Sequence, residues 1–195
     1  MYLSLEDYRR RMLGCWIGKN IGGTLGMPME WNRQPNDVTY YTHKMTGEPL
    51  PNDDLDIQVL WLLALEDKGL DIDCKALGQY FNELMIFTHG EYGTAKTNLR
   101  AGLQPPVSGT HNNDFKDSCG SFIRSEIWAA VFAGRPDAAM HFAELDAARR
   151  FHYYSAVFFI FVLTRFKIID FGRFFELYSY DFRHFAFTSN ILNSN

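Results

Sequence analysis

The sequence has few of the features that mark several large protein classes. Its three cysteines, Cys15, Cys74 and Cys119, are odd in number and widely spaced, which argues against a disulfide framework or a cysteine zinc site. A formal net charge of -4 gives no basic footprint for nucleic acid. The charged N-terminus lacks the apolar core of a signal peptide. We therefore expect a cytoplasmic protein whose partners are small molecules or proteins, with no nucleic acid and no membrane.

The last 45 residues have almost no turn-forming residues. None of the seven prolines and only Gly172 of the 15 glycines lies there, whereas 11 of the 17 phenylalanines do. The apolar stretch at 156–163 is far shorter than the roughly 20 residues that span a bilayer. We expect residues 1–150 to form the N-terminal part of a domain and residues 151–195 to be an atypical Phe-rich tail of a truncated or frame-disrupted chain.

Helical periodicity is the main structural signal in the first 150 residues. Ser4 and the acidic residues after it form a capping-box-like start, and no segment shows the sustained alternation of a strand. The pattern predicts an all-α fold. We expect helices from Ser4 onward and at 55–66, 73–87, 94–103, 122–132 and 136–149, with an irregular connection at 31–52.

The run Asn52-Asp53-Asp54-Leu55-Asp56 stands directly before an apolar helix. Oxygen ligands suit hard cations such as magnesium or calcium, and adjacent carboxylates repel each other unless a cation lies between them. Acidic residues are also common at helix starts, where they cap the helix and interact favourably with its dipole. The residues by themselves leave both interpretations open.

Three segments together resemble the ADP-ribosylglycohydrolase family, which includes ADP-ribosylarginine hydrolases and the dinitrogenase-reductase-activating glycohydrolase. The first is the glycine-rich segment 14–30, which ends in Pro28-Met29-Glu30. The second is Asn52-Asp53-Asp54, where the family carries Thr/Ser-Asp-Asp. The third is Gly120-Ser121-Phe122-Ile123-Arg124, followed by a helix containing Ala143-Glu144-Leu145-Asp146-Ala147. The resemblance covers about residues 5 to 150.

The resemblance implies an all-α bundle with two magnesium ions in a cleft, which hydrolyses the N- or O-glycosidic bond between ADP-ribose and an acceptor. The partner would be an ADP-ribosylated protein or a small-molecule ADP-ribose conjugate. Asn52, Asp53, Asp54 and Asp56 are the implied metal ligands, although Asp56 could instead support the other ligands or cap the helix. Asp54 also has an implied catalytic role. Glu30 matches a family glutamate and is a candidate acid/base or gate, although a solvated loop carboxylate explains it equally well.

The same resemblance places Ser121 and Arg124 near the substrate. The planar guanidinium of Arg124 suits a diphosphate. The alternative for Arg124 is an ion pair with an acidic neighbour such as Asp117 or Glu126, and Gly120 is expected to serve close packing.

The sequence departs from the family pattern at two points. No Asp-x-Asp-Thr motif occurs in the C-terminal part, so half of the implied metal cage is missing, and Gly23 stands where many relatives have Asp. The sequence therefore predicts weak magnesium binding and doubtful hydrolase activity. The alternatives are a non-catalytic ADP-ribose-binding or scaffold protein and an inactive remnant.

Overall fold

A computed structural model of the chain describes residues 4–42, 47, 50–88 and 90–147. These residues fall into two compact units, the first ending at Asn52 and the second beginning at Asp53. Over the described ranges the regular structure is helical and no strand is present, which confirms the all-α prediction. The predicted tail at 151–195 lies outside the described residues.

The first unit is built on one long helix, α1 (Leu5–Gly26). The Ser4 hydroxyl caps it by accepting a hydrogen bond of 3.0 Å from the backbone N–H of Asp7. The helix continues through the glycine-rich segment, and a turn of 3-10 helix (Met27–Met29) follows before Glu30. The connection at 31–42 contains no helix, as predicted.

The apolar residues of α1 are only partly covered. Leu13 is 62% exposed and Ile17 is 49% exposed, whereas Cys15 and Thr24 are the buried residues of this helix. The local capping and the helix period therefore predicted the helix correctly, but burial of its apolar face contributes little to its stability.

The second unit contains six α-helices among its described residues. They are α2 (Asp53–Lys68), α3 (Cys74–Leu84), α4 (Gly90–Arg100), α5 (Val107–Thr110), α6 (Glu126–Val131) and α7 (Pro136–Ala147). The predicted helix at 122–132 is divided into a 3-10 turn (Phe122–Arg124) and α6. Helix α4 begins at Gly90, four residues before the predicted start at 94, because it includes Gly90 and Gly93, two residues that favour a loop in the sequence.

The core of the second unit lies among α2, α6 and α7. Ile57 and Trp128 are completely buried, and the Trp128 ring stacks on Phe142 with centroids 5.7 Å apart. Gln58, 3% exposed, joins α2 to α6, because its side-chain oxygen accepts a hydrogen bond of 3.0 Å from the backbone N–H of Ile127. These contacts hold the first turn of α2 against the helix that follows the Gly120–Arg124 segment.

No helix in the described part of the chain is long and apolar enough to cross a membrane.

Candidate functional site

The acidic start of α2 forms one side of the candidate site. Asp53, Asp54 and Asp56 occupy its first turn, and all three are partly exposed. The residues of α2 from Ile57 onward include its buried residues, whereas the three carboxylates lie before them at the N-terminal end of the helix. The three predicted metal ligands of the second unit thus share one helical turn, but in the described part of the chain their side chains do not form a group that could hold a metal ion.

The start of α4 brings Glu91 and Tyr92 to the same region. Burial is the main cause that raises the pKa of the Tyr92 phenol, and the nearby Asp53 and Glu91 carboxylates raise it further, whereas Arg124 opposes them. Tyr92 is 5% exposed. Its buried hydroxyl has no hydrogen-bond partner among the described residues. Asp53, Glu91 and Arg124 therefore all lie near enough to Tyr92 to influence its phenol electrostatically.

Glu91 is held by the loop that precedes the Gly120–Arg124 segment. Its Oε1 accepts a hydrogen bond of 2.8 Å from the Ser118 hydroxyl. A Cβ on Gly120 would lie 2.9 Å from the same oxygen, so a larger residue at this position would force the Glu91 carboxylate to shift. The close-packing interpretation of Gly120 agrees with this contact. Sequence reasoning missed Glu91, because Gly90 and Gly93 flank it and glycines favour the prediction of a loop.

Cys119 lies beside the acidic groups. The residue as a whole is exposed, but protein atoms packed around its thiol raise the thiol pKa, and the Asp54, Glu91 and Asp53 carboxylates add to the increase. The negative charge at the start of α2 therefore adds to the effect of burial on the pKa of the Cys119 thiol.

Arg124 is bound to Asp146, a partner that sequence reasoning had not considered. Both Nε and Nη2 of Arg124 lie 2.8 Å from Asp146 Oδ1. The guanidinium also lies over the Trp61 ring, 6.0 Å from its centroid. Burial disfavours the charged form of Arg124, but Asp146 more than compensates, and its pKa is raised. The ion pair thus connects α7 to the Gly120–Arg124 segment.

Ser121 is buried, with 7% of its surface exposed. Its side chain does not cap the 3-10 turn that follows it. The structure therefore places Ser121 next to Gly120 and close to Arg124 in the chain, but its predicted role in substrate binding stays a prediction.

Glu30 and Asn52 belong to the first unit. Glu30 is exposed and follows the 3-10 turn. The Asn52 amide fills the space above Gly23, because a Cβ at Gly23 would collide with Asn52 Nδ2. Both residues differ from the family pattern, and Gly23 provides the space that the Asn52 side chain occupies.

The described residues do not complete a metal site. Within residues 4–42, 47, 50–88 and 90–147, no three Asp, Glu, His or Cys side chains are grouped so that they could hold a metal ion. Asp53 and Asp54 fit one side of such a site. Magnesium prefers near-ideal octahedral geometry and loses its water reluctantly, so two carboxylates bind it weakly.

Comparison with known proteins identifies one family. The model of the ADP-ribosylglycohydrolase family matches residues 4–166, which is most of the chain and reaches past the boundary predicted at residue 150. Neither the curated proteins nor the solved structures give a significant match. Members of the matched family act on ADP-ribosylated substrates and are generally metal-dependent. The chain belongs to the ADP-ribosylglycohydrolase family.

Proposed function

We propose that this chain binds an ADP-ribosyl group between the acidic start of α2 and Arg124, and that by lineage it hydrolyses the glycosidic bond of that group. The observation that supports the proposal is the convergence of Asp53, Glu91 and Arg124 around the buried Tyr92 hydroxyl. Carboxylates on one side and a guanidinium on the other suit a ligand that carries both a ribose diol and a diphosphate.

The proposed roles follow from the chemistry of each group. Arg124 would contact the diphosphate, and the buried Ser121 would line the same subsite. Asp54 would accept a proton from the attacking water, and Glu30 would act as acid/base or as a gate, since glycoside hydrolysis commonly uses a pair of carboxyl groups. The substrate would be an ADP-ribosylated protein or a small-molecule ADP-ribose conjugate.

The proposed cofactor is magnesium, held weakly by Asp53, Asp54 and Asp56, with Asn52 before them in the sequence. When bound, it would supply a Lewis acid that polarises water and orients the ribose. Because the Asp-x-Asp-Thr motif is absent, we expect the affinity for magnesium to be low.

The second candidate is an ADP-ribose-binding protein without hydrolase activity. It is favoured by the lack of a three-ligand metal group in the described part of the chain, because binding through Arg124 does not require a complete metal cage. This candidate keeps the same ligand and the same subsite and differs only in turnover.

Calorimetry and a hydrolysis assay on the full chain separate these proposals. We expect saturable ADP-ribose binding and magnesium binding weaker than micromolar. Cleavage of ADP-ribosyl-arginine that is lost in Asp54→Asn supports the hydrolase, whereas saturable binding without cleavage supports the second candidate. Asp137→Asn is the matched control, because Asp137 is an exposed acid in the first turn of α7.

Two outcomes would contradict these proposals. Submicromolar magnesium binding to a monomer would show that the metal site is complete and that the argument from the missing motif is wrong. The absence of ADP-ribose binding would refute both candidates.

A further inference from the structure

Asp146 is a buried carboxylate whose two oxygens both accept hydrogen bonds near the candidate site. Its side chain is 1% exposed. Oδ1 accepts a hydrogen bond of 2.8 Å from Nε of Arg124, and Nη2 lies 2.8 Å from the same oxygen in the ion pair. Oδ2 accepts from two indole N–H groups, Trp61 Nε1 at 3.1 Å and Trp128 Nε1 at 3.2 Å. The indoles fix the position of the carboxylate, and the carboxylate in turn fixes the position of the guanidinium.

The orientation of Arg124 follows from these contacts. The Nε and Nη2 edge faces Asp146, while Nη1 donates to the backbone oxygen of Gly120. Gly120 lies against Glu91 Oε1, so the Nη1 end of the guanidinium faces Glu91 and Tyr92. A guanidinium has five N–H donors, so the two hydrogen bonds and the Nη2 ion-pair contact still leave one donor on Nη1 and one on Nη2.

We propose that Asp146 is a positioning residue, which holds Arg124 so that its remaining donors face the diphosphate of the ADP-ribosyl ligand. The proposal rests on the function proposed above. Without Asp146 the Arg124 side chain, which is 11% exposed, would be a buried charge with no carboxylate partner. The guanidinium would then turn toward solvent or toward Glu91. Its remaining Nη1 and Nη2 donors would no longer be held in the orientation that suits the diphosphate.

A purely structural role for Asp146 predicts a different result. In that case the carboxylate would only connect α2, α6 and α7 through the two indoles and the arginine, and any variant of this network would reduce stability without a specific effect on ligand affinity. The positioning role requires that ligand affinity depend on the Asp146 to Arg124 contact and not on the Asp146 to Trp128 contact.

The test measures ADP-ribose affinity of the full chain by calorimetry. Asp146→Asn is expected to raise the Kd about 10-fold, because it removes the charge that orients the guanidinium. Arg124→Lys should raise it to a similar extent, and the double variant should add less than about 2-fold, as expected for two residues that act as one unit. If Asp146→Asn does not fold, Asp146→Glu replaces it. This variant keeps the charge but shifts the guanidinium, so we expect a loss of affinity smaller than about 10-fold.

Trp128→Phe is the matched control. It removes one hydrogen bond to Asp146 Oδ2 and destabilises the same core, but it leaves both contacts with Arg124 in place. We expect a lower midpoint of thermal unfolding and a Kd within about 2-fold of the unmodified chain.

Hydrogen exchange of the Arg124 side-chain Nε–H, measured by NMR without ligand, reports on positioning independently of the proposed function. The proton should exchange slowly in the unmodified chain and faster in Asp146→Asn. Faster exchange with an unchanged Kd would overturn the positioning role alone. If the unmodified chain does not bind ADP-ribose, the proposed function fails and the ligand-directed role of Asp146 fails with it.

Discussion

Gln58 offers a direct test of how the first turn of α2 is held in place. Helix α6 lacks an ordinary cap, because the Ser125 hydroxyl donates to the Phe122 carbonyl at 2.9 Å and does not cap its own helix. Gln58 supplies the missing acceptor for the Ile127 N–H from another helix. Its amide donates to the Asp54 carbonyl at 2.7 Å and to Glu126 Oε2 at 3.2 Å.

Gln58→Met should destabilise the second unit by about 1–2 kcal/mol. The buried Ile127 N–H would lose its acceptor, which costs about 1–3 kcal/mol, and burial of the methionine offsets part of that cost. The Asp54 carbonyl already lies in the helix ladder, and Glu126 is partly exposed, so the loss of these two bonds adds little. A change of 1.4 kcal/mol is about tenfold in the folding equilibrium.

Urea unfolding monitored by circular dichroism measures this change. Gln79→Met is the matched control, because Gln79 is exposed on α3 and its side chain donates to Glu83 at 2.9 Å. The control should change the free energy of unfolding by less than about 0.5 kcal/mol. Equal urea midpoints for Gln58→Met and the unmodified chain would refute the argument that Gln58 caps α6.

Gln58→Glu adds a pH dependence of known sign. The new carboxylate would lie beside Glu126 in a buried position, so its folded-state pKa should rise above the unfolded value of about 4.3. A raised acid pKa means that stability is reduced above the folded pKa and recovers as the pH falls through it. The protonated form also regains a donor. The difference from the unmodified chain should therefore be larger at pH 7 than at pH 4.

Three further predictions follow from other contacts. Gly120→Ala should displace the Glu91 carboxylate from the Ser118 hydroxyl, because the new Cβ would lie 2.9 Å from Glu91 Oε1. We expect a loss of stability of about 0.5–1.5 kcal/mol and weaker ADP-ribose binding, and unchanged calorimetry and thermal unfolding would contradict this. On α1, Gly14→Ala should stabilise the helix by about 0.5–1 kcal/mol, because nothing lies within 4 Å of the new Cβ. Gly23→Ala should stabilise the helix less, because the new Cβ must displace the Asn52 amide. Equal urea midpoints for the two variants would contradict this difference. Asp53→Asn and Asp54→Asn should each speed alkylation of Cys119 by iodoacetamide at pH 8, because removal of either carboxylate lowers a thiol pKa that burial and nearby charges raise, and an unchanged rate would show that these charges do not act on Cys119.

The sequence by itself determined the class of the fold and most of its local boundaries. The Ser4 cap, the acidic start of α2 and Pro136 at the start of α7 are local signals, and each helix begins at or within two residues of the position they indicate. The family was also predicted from motif order and is confirmed by the match to residues 4–166. These features depend on interactions within a few residues, which a linear pattern records.

Only the tertiary structure identified the partners of those residues. Arg124 pairs with Asp146 across 22 positions, and Gln58 reaches Ile127 across 69. Glu91 enters the site because Ser118 and Gly120 hold it there. The partner of a buried charge depends on which helices meet in space, and spacing along the chain does not encode that. The acidic start of α2 was thus visible in the sequence, whereas the surrounding Glu91, Tyr92 and the Arg124–Asp146 pair were decided by helix packing.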